Sequence, residues 1–216
     1  MKSIDYSLYL VTDSSSYEEQ EFLSAIEIAL QNGVTLLQLR EKEATSRAFL
    51  KKAIQVKKLT DQYHVPLVIN DRIDIALAVN ADGVHLGQND IPVKAARRIM
   101  GPNKLIGASA KTVEQALEAE KHGANYLGTG AMNPTTTKVI TQITSFSTLT
   151  EICNAVKIPV VAIGGISKEN LWNLKGANIK GIAVVSAILS SSNIQVTTQS
   201  LAKEIQELLI ENQNIR

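Results

Sequence analysis

The chain is poor in cysteine and carries almost no net charge, and each feature excludes some classes of protein. Its 216 residues include a single cysteine, Cys153, so an intramolecular disulfide is excluded and a reducing compartment is expected. Cys153 falls within a helical pattern, which favours a packed thiol over a nucleophile. The 22 lysines and arginines against 21 aspartates and glutamates leave a formal net charge of +1. Without a basic stripe or a charged tail, nucleic acid is not an expected partner.

Long hydrophobic runs are also missing. No stretch approaches the roughly 20 apolar residues that are needed to span a bilayer, so no membrane association is predicted. Met1 is followed by Lys2-Ser3-Ile4-Asp5-Tyr6, which lacks the apolar stretch of a signal peptide. A cytoplasmic protein is therefore expected.

What the chain does contain is a regular alternation of short apolar runs with amphipathic segments. The runs are continuous rather than alternating, which is typical of parallel strands that are covered on both faces. The predicted strands are Leu8–Val11, Thr35–Leu39, Leu67–Ile69, Gly83–Leu86, Leu105–Ala108, Tyr126–Gly128, Val160–Ile163 and Gly181–Val185. Their number, without a linker between them, favours a single (βα)8 TIM barrel domain over residues 1–216. A doubly wound sheet is the alternative, but the first strand lacks its G-x-G-x-x-G turn.

Helix boundaries between the strands carry their own signals. Thr45 and Thr112 are predicted N-caps, and Ser16 with Glu19 forms a predicted capping box. Gly33 and Gly123 stand where a helix must end in a left-handed residue before the next strand.

Carboxylates follow two neighbouring strands. Asn70-Asp71 ends the third predicted strand, and Asp90 lies on the loop after the fourth. Because the carboxyl ends of parallel strands share one face, the two aspartates are expected to hold Mg²⁺ together with a bound diphosphate. Asp71 has an alternative role as a helix cap. His85 lies within the fourth strand, where a hydrogen-bonded interior histidine is favoured over a catalytic one.

Cationic, amide and hydroxyl side chains follow other strands. The segment Gln38-Leu39-Arg40-Glu41-Lys42 ends the second strand, Ser109 ends the fifth, and Pro134-Thr135-Thr136-Thr137-Lys138 follows the sixth. Arginine, lysine and hydroxyl groups are donors to phosphate oxygens. The long segment Thr129–Thr144 around the threonines is expected to be a binding loop or lid.

A second anion site is predicted after the last two strands. Gly164-Gly165 and Val185-Ser186 stand at those ends, and in such barrels the corresponding loops often bind phosphate through backbone N–H groups. Two anion sites imply two phosphorylated substrates, or one ligand that is phosphorylated at both ends.

In this order, the motifs resemble those of the thiamine phosphate synthase family. They are QLREK (38–42), ND (70–71), ADGVHLGQND (81–90), GAS (107–109), PTTTK (134–138), IGGI (163–166) and VVSAI (184–188). The resemblance implies an enzyme that joins a hydroxymethylpyrimidine diphosphate to a thiazole phosphate and releases pyrophosphate.

The resemblance also implies residue roles. Pyrimidine diphosphate would contact Gln38, Leu39, Arg40, Glu41, Lys42, Asn70, Ser109 and Lys138. Of these, Arg40, Lys42, Ser109 and Lys138 would act on the leaving diphosphate. Asp71 and Asp90 would hold Mg²⁺, and the thiazole phosphate would contact Thr135, Thr136, Thr137, Gly165, Val185 and Ser186. Barrels of this kind commonly pair, so a homodimer is one expected state.

Two positions depart from the family pattern, and two rival functions are open. Asn133 replaces a frequent aromatic residue, and Lys111 replaces a frequent histidine. A homologous thiazole tautomerase would need a proton-transfer group but no Mg²⁺ site. A non-catalytic phosphate-ligand sensor should have lost the metal carboxylates or Lys138. The chain retains Asp71, Asp90 and Lys138, which favours the synthase.

Overall fold

The computed structural model describes residues 4–134 and 143–214. Eight parallel strands close into one barrel, in which each strand pairs with its neighbours in sequence and the eighth returns to the first. The strands are β1 (Leu8–Val11), β2 (Leu36–Leu39), β3 (Leu67–Asn70), β4 (Gly83–Leu86), β5 (Leu105–Ser109), β6 (Tyr126–Thr129), β7 (Val160–Ile163) and β8 (Gly181–Val184). The predicted TIM barrel is confirmed, and the doubly wound alternative is wrong.

Helices connect the strands and form the outer layer. In the described residues these are α1 (Glu19–Gln31), α2 (Ser46–Gln62), α3 (Ile73–Ala78), α4 (Val93–Met100), α5 (Val113–Lys121), α6 (Phe146–Ala155), α7 (Ser186–Leu189) and α8 (Ile194–Asn214), with a 3₁₀ helix at Leu171–Leu174. No helix of residues 4–134 or 143–214 has the length and apolar character needed to cross a membrane.

Strand ends differ from the predicted ones by single residues. β3, β5 and β6 each run one residue further, because Asn70 pairs with His85 and Ser109 pairs with Gly128 in the ladder. Val185 does not belong to β8 as predicted, since it forms the N-cap of α7.

The cap predictions are confirmed at two of three helices. Ala48 donates its N–H to the Thr45 side chain, and Gln115 donates to Thr112. At α1 the capping-box prediction with Ser16 is wrong, because the helix begins at Glu19 after an N-cap residue whose side chain makes no cap bond. The acidic residues in its first turn complement the positive end of the helix dipole instead.

The core has two layers. The larger layer fills the space between barrel and helices, and the smaller one fills the barrel interior with Tyr6, Tyr9, Tyr126 and five aliphatic residues. Cys153 lies in the outer layer, and burial raises the pKa of its thiol to about 11. A buried thiol with this pKa is a packing group, as predicted.

Arg97, on α4, forms hydrogen bonds with the segments that lead into β5 and β6. Its guanidinium donates to the carbonyl oxygens of Gly101, Lys104 and Gly123, and to the Asn125 Oδ1 atom, at 2.6–3.2 Å. These acceptors lie on the segments that lead from α4 to β5 and from α5 to β6.

We expect Arg97→Met to lower the free energy of unfolding by about 2 kcal/mol or more, because several part-buried carbonyl groups lose their donor together. Urea denaturation measures the change. Arg98→Met is the matched control, since Arg98 is the adjacent residue and is exposed. Equal effects of the two substitutions would contradict a structural role for Arg97.

Candidate active site

The carboxyl ends of the strands bring the predicted metal ligands and a lysine together. The Lys42 ammonium, on the loop after β2, forms an ion pair with the Asp71 carboxylate after β3. Asp71 has a left-handed backbone (φ 61°), and its N–H donates to the His85 carbonyl oxygen at 2.8 Å. The alternative role of Asp71 as a helix cap is wrong, because the N-cap of α3 is Arg72.

Asp90 lies beside Asp71. The Gly87 N–H donates to Asp90 Oδ2 at 2.6 Å, which holds the carboxylate at the end of β4. Burial raises the pKa of Asp90, and so do a hydrogen bond with Asp71 and the negative charge of that carboxylate. Two adjacent carboxylates that repel each other are complementary to a cation.

The donor set fits magnesium. Residues 4–134 and 143–214 contain no group of three or more histidine, cysteine, aspartate or glutamate side chains arranged to hold a metal. Mg²⁺ does not require such a cage, because it is usually bound by one or two carboxylates while water and phosphate oxygens complete its octahedron. Asp71 and Asp90 supply that number of ligands.

The side chains of the segment 39–42, at the end of β2 and in the loop after it, have different environments. None of the residues in 4–134 and 143–214 accepts a hydrogen bond from the Arg40 guanidinium. Glu41 is held at 3.0 Å by both Ser14 and Lys52. Leu39 is fully buried in the outer core layer, so it can meet a ligand only through its backbone. Glu41 thus anchors the loop that carries Arg40 and Lys42.

Polar groups on β2, β3 and β5 complete this side of the barrel mouth. Gln38 is buried and points inward, where it donates to the Tyr9 hydroxyl at 2.6 Å. Asn70 is the last residue of β3 and is half-buried. Ser109 ends β5, with its Oγ atom 3.0 Å from His85 Nε2.

His85 has the interior, hydrogen-bonded environment that was predicted. Its Nδ1 atom lies 3.1 Å from the Tyr126 hydroxyl, and its Nε2 atom contacts Ser109. Burial lowers the pKa of His85 to about 4, against an opposing effect of the Asp71 charge. The ring is therefore neutral at physiological pH.

The glycines after β7 also make room for a neighbouring loop. Gly164 and Gly165 both adopt positive φ, but a Cβ atom on Gly165 would lie 2.4 Å from the Pro134 carbonyl oxygen. The absence of a side chain at position 165 therefore admits the neighbouring loop, rather than only opening the backbone to a ligand. Ser186 is the first residue of α7 and is exposed.

Three of the predicted thiazole contacts and one predicted diphosphate contact fall on the same segment. Thr135, Thr136, Thr137 and Lys138 lie outside the described residues. The segment that leads to them is tied to β7, because Met132 and Asn133 donate their N–H groups to Ile163 and Gly164 at 3.0 Å.

Sequence reasoning missed the contribution of the barrel interior. Tyr9 and Tyr126 meet inside the barrel, hydroxyl to hydroxyl at 2.7 Å. The available signal was that both tyrosines interrupt apolar strands at inward-facing positions. A cavity of about 450 Å³ lies at the opposite end of the barrel, between segments that precede the strands, and contacts none of these groups.

Comparison with known proteins places the chain in a family. A sequence model described as thiamine monophosphate synthase matches residues 8–188. The chain belongs to the thiamine monophosphate synthase family. Among its relatives, a thiamine-phosphate synthase of Ruminiclostridium cellulolyticum is 54% identical over 202 residues, covering 93% of this chain and 96% of the relative. A protein of Streptococcus pneumoniae serotype 4, thiamine-phosphate synthase 2, is 50% identical, with 94% and 96% covered.

A solved structure of the family has the same fold. The thiamine phosphate pyrophosphorylase of Pyrococcus furiosus superposes with a TM-score of 0.87 at 39% identity, covering 95% of this chain and 98% of the other. The family membership predicted from the motifs is thereby confirmed.

Proposed function

We propose that the chain joins a hydroxymethylpyrimidine diphosphate to a thiazole phosphate at this barrel mouth, giving thiamine phosphate and pyrophosphate. The observation that carries the proposal is the pair of adjacent carboxylates, Asp71 and Asp90, beside the Lys42 ammonium. The activity is that of a transferase and agrees with the names of the relatives. Neither the tautomerase nor the sensor is favoured, because a tautomerase has no use for the carboxylate pair and a sensor has no use for an intact metal site.

The reaction is dissociative in this proposal. Pyrophosphate leaves first, a pyrimidine-stabilised methylene cation remains, and the thiazole nitrogen captures it. Such a reaction needs charge neutralisation on the leaving group, exclusion of water and alignment of the nucleophile, but no protein nucleophile. Mg²⁺, held by Asp71 and Asp90, would supply positive charge to the diphosphate oxygens.

Side chains of the chain supply the remaining interactions. Arg40 and Lys42 bind and neutralise the diphosphate from the loop after β2, and Ser109 donates to it from β5. Lys138 joins them from the loop after β6. Gln38 and Asn70 bind the pyrimidine, and Leu39 and Glu41 contribute through the backbone of their segment.

The thiazole phosphate occupies the second anion site. The family resemblance assigns Thr135, Thr136 and Thr137 to contacts with the thiazole phosphate, and Gly165, Val185 and Ser186 to its phosphate group. Hydroxyl and backbone N–H donors suit a phosphate that is bound without a metal.

Several coarser properties belong to the same proposal. We place the enzyme in the cytoplasm, which its single cysteine supports. The closed barrel supports one domain over residues 1–216. A homodimer is the assembly expected of such barrels.

The test of the function is direct. Purified protein is incubated with both substrates, with and without Mg²⁺, and pyrophosphate and thiamine phosphate are quantified. Equimolar formation of both products that depends on Mg²⁺ supports the proposal. Release of pyrophosphate without thiamine phosphate, or no reaction in Mg²⁺, contradicts it.

We expect Ser186→Ala to raise KM for the thiazole phosphate about threefold to tenfold, because one hydroxyl donor to the phosphate is lost. Steady-state kinetics measure KM, and calorimetry should show unchanged binding of pyrimidine diphosphate with Mg²⁺. Ser190→Ala is the matched control, since Ser190 is exposed immediately after α7. Weakening of both substrates by Ser186→Ala would contradict two separate anion sites.

A further inference from the structure

A chain of hydrogen bonds crosses the barrel interior from β2 to β5. Gln38 Nε2 donates to the Tyr9 hydroxyl at 2.6 Å, and the hydroxyls of Tyr9 and Tyr126 lie 2.7 Å apart. The Tyr126 hydroxyl lies 3.1 Å from His85 Nδ1, and His85 Nε2 lies 3.0 Å from Ser109 Oγ. The five side chains come from five different strands, so only the closed barrel connects them.

The hydrogen-bonded side chains are buried, and glycines on neighbouring strands leave room for their rings. Tyr9 is 2%, Tyr126 0% and His85 9% exposed, so water cannot replace their hydrogen bonds. Two glycines accommodate the rings: a Cβ atom on Gly107 would lie 2.1 Å from Tyr126 Cζ, and one on Gly128 would lie 3.1 Å from His85 Cε1. Side chains at these positions would displace the rings that make the connection.

The donors and acceptors of the five side chains determine which group donates in each hydrogen bond. The Gln38 amide nitrogen can only donate, so the Tyr9 oxygen accepts from it. Among the described residues, the Tyr126 hydroxyl is the only acceptor within hydrogen-bond distance of the buried Tyr9 hydroxyl, so pairing the Tyr9 hydrogen directs it to Tyr126. The Tyr126 hydrogen then has His85 Nδ1 as its acceptor. A ring that accepts at Nδ1 has no hydrogen on that atom, so it carries its hydrogen on Nε2, which donates to Ser109 Oγ.

The hydrogen bond from His85 to Ser109 leaves the Ser109 hydroxyl hydrogen without an acceptor among the described residues. Ser109 Oγ accepts from His85, so its own hydrogen points elsewhere, and no acceptor for it lies within hydrogen-bond distance among residues 4–134 and 143–214. Ser109 ends β5 at the mouth of the barrel, on the side of the Asp71 and Asp90 carboxylates. An anionic oxygen bound there would be the acceptor.

We propose that Tyr9, Tyr126 and His85 are positioning residues, which act through Ser109 by orienting its hydroxyl as a donor to the leaving diphosphate. The inference rests on the proposed function for the identity of the ligand. The relay, meaning the hydrogen-bonded series Gln38, Tyr9, Tyr126, His85 and Ser109, is present in the unliganded protein. Its hydrogen positions can therefore be measured without any reaction.

The first test is the tautomer of His85. Nitrogen-15 NMR of histidine-labelled protein distinguishes the Nε2–H from the Nδ1–H form, and a His85→Gln spectrum identifies the signals among the three histidines of the chain. The wild-type protein should show the Nε2–H form, and Tyr126→Phe should reduce its population. An Nδ1–H ring in the wild type would overturn the proposal, whether or not the enzyme makes thiamine phosphate.

The second test is kinetic and has a matched control. Tyr126→Phe should lower kcat about tenfold or more, as expected when a preorganised donor to developing charge is lost, with KM for the thiazole phosphate unchanged. Tyr6 is a buried residue whose ring packs on that of Tyr126, with centroids 5.1 Å apart, but it is not one of the five hydrogen-bonded side chains. Tyr6→Phe therefore removes a buried hydroxyl without breaking a hydrogen bond of that series. It should leave kcat unchanged.

A double-mutant cycle separates positioning from packing. In a Ser109→Ala background, Tyr126→Phe should have little further effect on kcat, because the relay acts through the missing hydroxyl. An undiminished effect in that background would show that Tyr126 serves the fold and would overturn the proposal. Equal losses in Tyr126→Phe and Tyr6→Phe would do the same.

Discussion

Asp90→Asn is expected to lower the rate of thiamine phosphate formation by about 100-fold or more at limiting Mg²⁺, with the fold intact. Asparagine keeps the shape of the side chain, and its Oδ1 atom can still accept from the Gly87 N–H. It removes one of the two charges that attract the cation, and the remaining carboxylate, Asp71, is already paired with Lys42. Metal affinity should therefore fall much more than stability.

The measurement is a titration of activity with Mg²⁺ in the wild type and the variant. Raising the Mg²⁺ concentration should restore part of the lost rate, because the defect is in affinity. Asp61→Asn is the control: it removes the same charge from an exposed ion pair with Lys57, at the other end of the barrel. An unchanged Mg²⁺ dependence in Asp90→Asn would remove Asp90 from the metal site.

Gly107→Ala is expected to lower the free energy of unfolding by about 3 kcal/mol and to abolish most of the activity. The added Cβ atom would lie 2.1 Å from Tyr126 Cζ and 2.5 Å from His85 Nδ1. Neither ring can withdraw, because both are enclosed by neighbouring strands. One of them must leave its hydrogen bond, and a strand shift would also displace Ser109.

Gly101→Ala separates this steric effect from backbone strain. Gly101 has a positive φ of 73°, but a Cβ atom there would meet nothing within 4 Å. Its replacement should cost about 1–3 kcal/mol, because its φ of 73° with ψ of −179° is a backbone conformation that is almost restricted to glycine, and it should leave activity unchanged. Chemical denaturation and kcat are measured for both variants. If Gly107→Ala behaves like Gly101→Ala, the ring packing around His85 is looser than the geometry requires.

Local patterns were sufficient to predict the fold and the proximity of Asp71 and Asp90. Short, uninterrupted apolar runs such as Val160–Ile163 can be buried on both faces only in a parallel sheet, and eight of them in one chain indicate a closed barrel. Such a barrel places every residue after a strand at the same mouth. Asp71 and Asp90 were therefore predictable neighbours, although they lie 19 positions apart in the sequence.

The partners of individual side chains were not predictable in the same way. The sequence allowed Asp71 a helix-capping role. In the structure, its backbone turns at a φ of 61°, and its carboxylate pairs with Lys42 instead. Glu41 belongs to a ligand motif, yet its carboxylate is held by Ser14 and Lys52. Gly165 stands in a phosphate motif, and its missing side chain makes room for Pro134.

The amino-acid sequence by itself determined the barrel, the family and the end of the barrel at which the polar motifs lie, because these follow from periodicity and from motifs within a few residues. Only the tertiary structure decided which buried polar groups satisfy one another. Tyr9 and Tyr126 lie 117 residues apart along the chain, and no local pattern indicates that their hydroxyls meet. A buried hydroxyl must find a partner, and barrel closure alone selects which strands bring that partner within 3 Å.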